Sequence, residues 1–331
     1  MKARTSETFA SVNELIAVVN HRRIATVKYV RIGGYGPGIV TLDAGEGQGL
    51  ARVTSPTFLA AHPSLPVLYA AGELERGWLT AFLADGPALA PLDERPSEGH
   101  SPCHVAVHPE GQLLAAANYG DGTATLYRLD ERGAFTGEPI VLRHEGSGPD
   151  AERQERSHAH QAVFHDGLLH IADLGTDEIR RYRLDGTPLE PITLAPGTGP
   201  RHLAFSGSRL FVAGELAATV TLIEGERRTV VRASRHEGEN FPSHLQLDGD
   251  FVYVANRGPN TIAVLRAADL SPVAEVPCGG DWPRHFAIDG ARMYVANQRA
   301  DTVSSFRLRD GVPEPDGQSY GVDSPGCVLI T

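Results

Sequence analysis

The sequence predicts an all-β chain closed into a seven-bladed β-propeller of four antiparallel strands per blade. Three observations carry that prediction: a short phrase repeated at a fixed period, strand-like runs between its copies, and a final unit divided between the two chain ends. The phrase reads Ser55-Pro56-Thr57-Phe58, Ser101-Pro102-Cys103-His104, Ser157-His158-Ala159-His160, Gly199-Pro200-Arg201-His202, Phe241-Pro242-Ser243-His244, Trp282-Pro283-Arg284-His285 and Ser324-Pro325-Gly326-Cys327. Its last residues stand 46, 56, 42, 42, 41 and 42 positions apart. Such a period means one supersecondary unit stacked around an array.

Each unit continues in the same way. A first strand starts at the phrase, as in Leu203-Ala204-Phe205, and a turn such as Asp248-Gly249-Asp250 follows. Second strands are expected at Leu113 to Ala117, Leu168 to Ala172, Leu210 to Ala213, Phe251 to Ala255 and Met293 to Ala296. Third strands are expected at Thr123 to Leu129, Glu178 to Leu184, Thr219 to Ile223, Thr261 to Leu265 and Thr302 to Leu308. The runs are β-branched, aromatic and bounded by Gly, Asn and Asp. A weaker fourth strand, Thr229 to Ala233, precedes the next phrase. Four short strands per unit is the pattern of a propeller blade.

The seventh phrase is followed only by Val328-Leu329-Ile330-Thr331. The missing strands of that blade are expected at Ala25 to Val30 and Gly38 to Asp43, so the two chain ends share it and leave no sheet edge open. One propeller domain over 25–331 results. Residues 1–24 lie outside the repeat, with Ser11 to Val19 readable as a short helix or a loose tail.

Bulk composition narrows the function. The chain has 331 residues and a formal charge of −11, which argues against nucleic-acid and membrane-surface partners. Any site for an anion must be basic against that field. Cys103, Cys278 and Cys327 show no metal spacing and leave one odd, as expected of reduced thiols in a cytoplasmic protein. Leu15 to Val19 is too short an apolar run for a signal peptide, and no stretch reaches spanning length.

Propellers serve catalysis, binding and assembly alike, so function is sought where the blades differ. The phrase histidine recurs in His104, His160, His202, His244 and His285, and repetition of that kind reads first as architecture. The third phrase position varies: Thr57, Cys103, Ala159, Arg201, Ser243, Arg284, Gly326. So does the position just past the second strand: Glu73, Tyr119, Leu174, Glu215, Arg257, Gln298. Antiparallel pairing puts both columns on one face, around the axis. There Arg201, Glu215, Arg257 and His160 come from three consecutive blades. The bland alternative is a set of rim ion pairs of little energetic value. An insertion from Arg143 to Arg156 lengthens the connection before His158 and His160, and a long loop at the site-bearing face is more often functional than decorative.

At these residues the chain resembles a known family. The run from Gly146 to His160 (Gly-Ser-Gly-Pro-Asp-Ala-Glu-Arg-Gln-Glu-Arg-Ser-His-Ala-His), followed by Ala172 to Asp177, is similar to the signature of the seven-bladed propeller lactonases. Those include propeller-type 6-phosphogluconolactonases and 3-carboxy-cis,cis-muconate lactonizing enzymes. The segments Ala117 to Thr123, Gly199 to His202 and Ala255 to Gly258 match further, from about Ile32 to Thr331. Phe58 and Cys327 depart from the phrase histidine. The resemblance implies a site without metal or other cofactor, in which His160, Arg201, Glu215 and Arg257 do the work.

The expected activity is hydrolysis of an anionic sugar lactone, 6-phosphogluconolactone to 6-phosphogluconate. His160 is the general base, on the expectation of a near-neutral pKa. Glu215 is the alternative base or orients the histidine, while Arg201 and Arg257 hold the anion or the oxyanion. Arg284, His158, His202 and Glu73 are the further substrate contacts. Two other readings remain open: a cycloisomerase acting on a polycarboxylate, and a non-catalytic binding propeller. A calcium-dependent site is not expected, since no acidic cluster has ligand spacing. Oligomeric state is left open.

Overall fold

The computed structural model describes residues 28–43 and 47–331, and its strands form seven four-stranded antiparallel sheets. Blades 1 to 6 span 56–96, 102–142, 159–193, 200–232, 241–277 and 283–321. Blade 7 joins Pro325–Ile330 to Val30–Gly34, Gly38–Asp43 and Gly47–Arg52. A single 3₁₀ turn, Gln298–Ala300, is the only helical element among the described residues.

The two middle strands of a blade are pressed between neighbouring blades, so they read as continuous apolar runs rather than alternating ones. In Phe251–Arg257, the residues Val252, Tyr253, Val254 and Ala255 are all fully buried. Outermost strands face water on their free edge, and Arg227–Arg232 alternates exposed and half-buried positions accordingly. Among the described residues the apolar side chains gather into seven clusters, one at each blade–blade interface.

The ring closes between the chain ends. Val30 pairs with Ile330, Ile32 with Val328 and Gly33 with Cys327, and Tyr29 and Thr331 exchange backbone hydrogen bonds of 2.8 and 2.9 Å. The first N-terminal strand is Val30–Gly34 rather than Ala25 to Val30; residues 25–27, like 1–24 with Ser11 to Val19, lie outside the described residues. Gly33 and Gly34 belong to the strand that pairs with the C-terminal one. They must be glycine, because a Cβ there would collide with the carbonyls of Pro56 and Ser324.

Every inner strand carries a one-residue bulge at the phrase. In blade 4, Pro200 faces Gly214 and His202 faces Ala213, leaving Arg201 as the extra residue. Thr57, Cys103, Ser243, Arg284 and Gly326 are the extra residues of their blades in the same way. In blade 3, Ala159 faces Asp173 and Gln161 faces Ala172, so the extra residue is His160. This corrects the sequence alignment by one position: His160 stands in the variable column, and Gln161 takes the place of the repeated histidine. Gln161 also does that histidine's work. Its Oε1 accepts from the Leu203 amide of the next blade at 2.5 Å, as His285 Nδ1 accepts from the Val328 amide at 3.3 Å.

The repeated histidines plug the axis. Phe58, His104, His244 and His285 surround His202 with ring centroids 5.0 to 6.5 Å from it, and His202 Nδ1 lies 2.8 Å from His244 Nδ1. Burial pushes His104, His202 and His244 well below the ordinary imidazole range and His285 down to about 3, so the plug is neutral.

Two outcomes follow. Gln161→Ala orphans the buried Leu203 amide and is expected to cost about 1–3 kcal/mol in urea denaturation, while Gln161→His restores most of it. The four plug imidazoles have depressed pKa values, so their neutrality stabilises the fold above pH 6.5. Below that pH the unfolded chain binds protons the native plug refuses. Stability should then fall by up to about 1.4 kcal/mol per pH unit for each histidine, read from urea midpoints across an acid titration.

Candidate active site

The bulge aims two consecutive side chains of each inner strand at the axis. One cavity is therefore lined by Thr57, Cys103, Arg201, Arg284 and Gly326 from the variable column and by Phe58, His202 and His285 from the plug. At or just past the end of the second strands stand Tyr35, Glu73, Tyr119, Leu174, Glu215, Arg257 and Gln298, with Glu73 in the lining.

Glu215 is the centre of the layer. Its side chain is 3% exposed and carries three arginines: Arg201 Nε at 2.9 Å, Arg257 Nη2 at 2.7 Å and Arg153 Nη2 at 2.7 Å. Burial alone would raise its carboxyl pKa. The charges of Arg257, Arg201 and Arg153, with His160 close by, overcome this and hold it well below the ordinary value of 4.5. Arg201 also donates to the Ser243 carbonyl, and Arg257 Nε to the Phe241 carbonyl at 3.0 Å. Burial and the nearby Arg257 lower Arg201 to about 9, as expected where three guanidinium groups share one carboxylate.

Arg257 is backed by the Trp282 ring, its guanidinium carbon 5.3 Å from the centroid. Trp282 holds a φ of 63°, a conformation a bulky side chain adopts only under local constraint. Its amide is fixed by Asn260 Oδ1 at 2.9 Å, and Arg299 covers the ring at 3.4 Å.

His160 sits beside this cluster with its ring centroid 5.4 Å from that of Tyr119 and 5.7 Å from that of His202. Burial first, then Arg201, push its pKa well below the ordinary range, so it is a neutral imidazole at pH 7 rather than one poised near neutrality. Cys103 Sγ lies 3.8 Å from its Nδ1. Burial raises that thiol to about 12, leaving no thiolate nucleophile at neutral pH.

The other expected contacts divide. Arg284 and Glu73 are joined through Tyr35: Arg284 Nη2 donates to the Tyr35 hydroxyl at 2.6 Å, and that hydroxyl donates to Glu73 at 2.9 Å. His202 belongs to the plug under the arginines. His158 is engaged in holding the insertion, stacked on Tyr119 at 4.5 Å with Nδ1 2.8 Å from the Tyr119 carbonyl and Nε2 3.1 Å from Glu155.

Sequence reasoning singled out the insertion but none of its side chains. It delivers Arg153 to Glu215 and Tyr119. The signature-like residues around it hold the local backbone and a hydroxyl: Asp173 accepts from Ser157 Oγ at 2.6 Å and the His158 amide at 2.9 Å, and Asp177 from the Gly197 and Gly199 amides at 2.7 Å. Tyr35 was equally hidden, because it reaches the site from the chain's far end.

Residues 41–330 match the family model described as lactonase, 7-bladed β-propeller. The chain belongs to that family. A 6-phosphogluconolactonase of Bacillus subtilis is 33% identical over 243 residues, covering 67% of this chain and 69% of its own length. A 6-phosphogluconolactonase of Formosa agariphila is 29% identical, covering 70% and 74%. A crystal structure of a Lactobacillus plantarum protein superposes with a TM-score of 0.83 at 29% identity, covering 92% of this chain and 99% of that one.

The three arginines of this propeller lactonase depend on Glu215. Glu215→Gln is expected to destabilise the fold by about 3–5 kcal/mol at pH 7, because it strips compensation from buried cations. The depressed folded pKa means that this stabilisation is complete above pH 4.5 and shrinks as pH falls through the acid range. Urea denaturation of both proteins should therefore show the gap narrowing below pH 4.5.

Proposed function

We propose that the protein hydrolyses 6-phosphogluconolactone to 6-phosphogluconate. One observation carries this reading: in an acidic chain, one buried carboxylate gathers three arginines beside a neutral imidazole at the end of the propeller axis. The local excess of positive charge is a place made for an anion. Family membership, and relatives named 6-phosphogluconolactonase, support a lactone as that anion's carrier.

His160 is neutral at physiological pH and so has a lone pair to accept a proton from the attacking water, though burial beside Arg201 makes it a weaker base than a free imidazole. Glu215 is ionised but so strongly held by its arginines that it is a poor base; it positions Arg201 and Arg257. Those two are nearly dry, at 4% and 7% side-chain exposure, where guanidinium donors stabilise a developing oxyanion most strongly. Ring opening then returns the proton from His160 to the departing alkoxide.

No metal is assigned to this chemistry. Among the described residues, no group of three or more His, Cys, Asp and Glu side chains is arranged to hold an ion. We place the protein in the cytoplasm, in keeping with three buried free thiols; no described helix is long and apolar enough to cross a membrane.

His160→Ala is expected to lower kcat on 6-phosphogluconolactone by about 10²–10⁴-fold. With the imidazole pKa depressed, kcat/KM corrected for spontaneous hydrolysis should stay level from pH 8 to 6 and fall only further into acid. An inflection at 6.5 would contradict the assignment, and loss of activity to a chelator with recovery in Ca²⁺ would overturn the metal-free reading. Muconate cyclisation without lactone hydrolysis would favour the cycloisomerase. Indifference of function to both His160→Ala and Arg201→Ala would favour a binding module.

A further inference from the structure

The lengthened connection between blades 2 and 3 is the feature the proposed chemistry leaves unexplained. Counted from His104 to Gln161 it spans 57 positions, against 41 to 46 elsewhere. It is a built loop. Gln154 is fully buried, donating to the Leu174 carbonyl at 2.8 Å and accepting from the Asp150 amide at 3.2 Å. Asp150 Oδ1 in turn accepts from the Glu152 and Arg153 amides at 3.0 and 3.1 Å. The backbone at Arg153 is thus pinned on both sides, and its side chain is aimed at the axis.

The cations of the site are not equally available. Arg201 and Arg257 are buried and spend further donors on the carbonyls of Ser243 and Phe241. Arg284 is tied to Tyr35 and Gln298, and Glu73 balances its charge through the Tyr35 hydroxyl. Arg153 differs on both counts. Its side chain is 37% exposed, and it reaches Glu215 and Tyr119 through Nη2 alone. Its Nε and Nη1 have no hydrogen-bond or ion-pair partner among the described residues, so two of its three guanidinium nitrogens keep donors for a ligand. Tyr119 spans the gap to the reacting end, with its hydroxyl 3.4 Å from Arg153 and its ring centroid 5.4 Å from that of His160.

We propose that Arg153 is the specificity-determining residue of the site, taking the dianionic phosphoryl group at the end of the substrate remote from the lactone carbonyl. The inference rests on the lactonase reading. In it, the insertion supplies the preference for a phosphorylated substrate, while the buried arginines serve the reaction itself.

The test is a ratio, so any general effect on the site cancels. kcat/KM is measured for 6-phosphogluconolactone and for unphosphorylated gluconolactone in wild type, Arg153→Ala and Arg153→Lys. Wild type should prefer the phosphorylated lactone, and Arg153→Ala should cut that preference about 10–100-fold, the worth of charge-assisted hydrogen bonds. Arg153→Lys should keep part of it, since it retains the charge and loses the fork. Equal losses on both substrates would make Arg153 a support for Glu215 only and overturn the proposal, as would a wild type without preference. Should wild type turn over neither lactone, the lactonase reading fails by itself. Calorimetric binding of 6-phosphogluconate against gluconate to the same three proteins then decides the role of Arg153, by the same ratio.

Discussion

A strand that alternates strictly can offer the axis of a ring only every second side chain. The bulge at the start of each inner strand removes that restriction, and the rest of the molecule depends on it. Two neighbouring residues turn toward the axis in every blade. The repeated one fills the channel with imidazole, phenyl, amide or thiol; the one before it, differing from blade to blade, lies above that filling. Architecture and chemistry are thereby stacked in two layers a single residue apart, and the blades can vary the second without disturbing the first.

The filling matters electrostatically. A column of neutral, close-packed rings beneath Arg201 keeps water out from below, so the interactions of Glu215 with its three arginines act in a medium far less polar than water. At a surface such ion pairs would contribute little, and burying them costs desolvation. Here the carboxylate serves to assemble cations. One negative charge brings guanidinium groups from blades 4 and 5 and from the insertion to a common point, and it leaves them short of compensation. The strained φ of Trp282, whose ring backs Arg257, fits a site whose geometry is held by its surroundings rather than by local preference.

Most of the fold was legible because propeller periodicity is a property of composition and spacing. Middle strands pressed between blades must be apolar throughout, and Val252 to Ala255 read so at once. What escaped was what register decides. Ser157-His158-Ala159-His160 imitates the phrase so well that only the pairing of Ala159 with Asp173 shows it to be displaced by one. The consequence reaches the chemistry: His160 was set apart as an exception among scaffold histidines, and it is not a scaffold histidine at all. Arg153 lies in no repeated column, and Tyr35, which follows Val30–Gly34 as Glu73 follows its own second strand, escaped because that strand was expected at Ala25 to Val30. The depressed pKa of His160 was also invisible, for it follows from burial beside Arg201, a fact of packing.

The central claim is that an anion completes the cluster around Glu215, beside His160. A crystal of the protein soaked with 6-phosphogluconate tests it most directly. The account predicts the carboxylate end of the ligand between His160, Arg201 and Arg257, under the insertion loop. Well-ordered ligand bound at another face, or an empty axial site at saturating ligand, would contradict it.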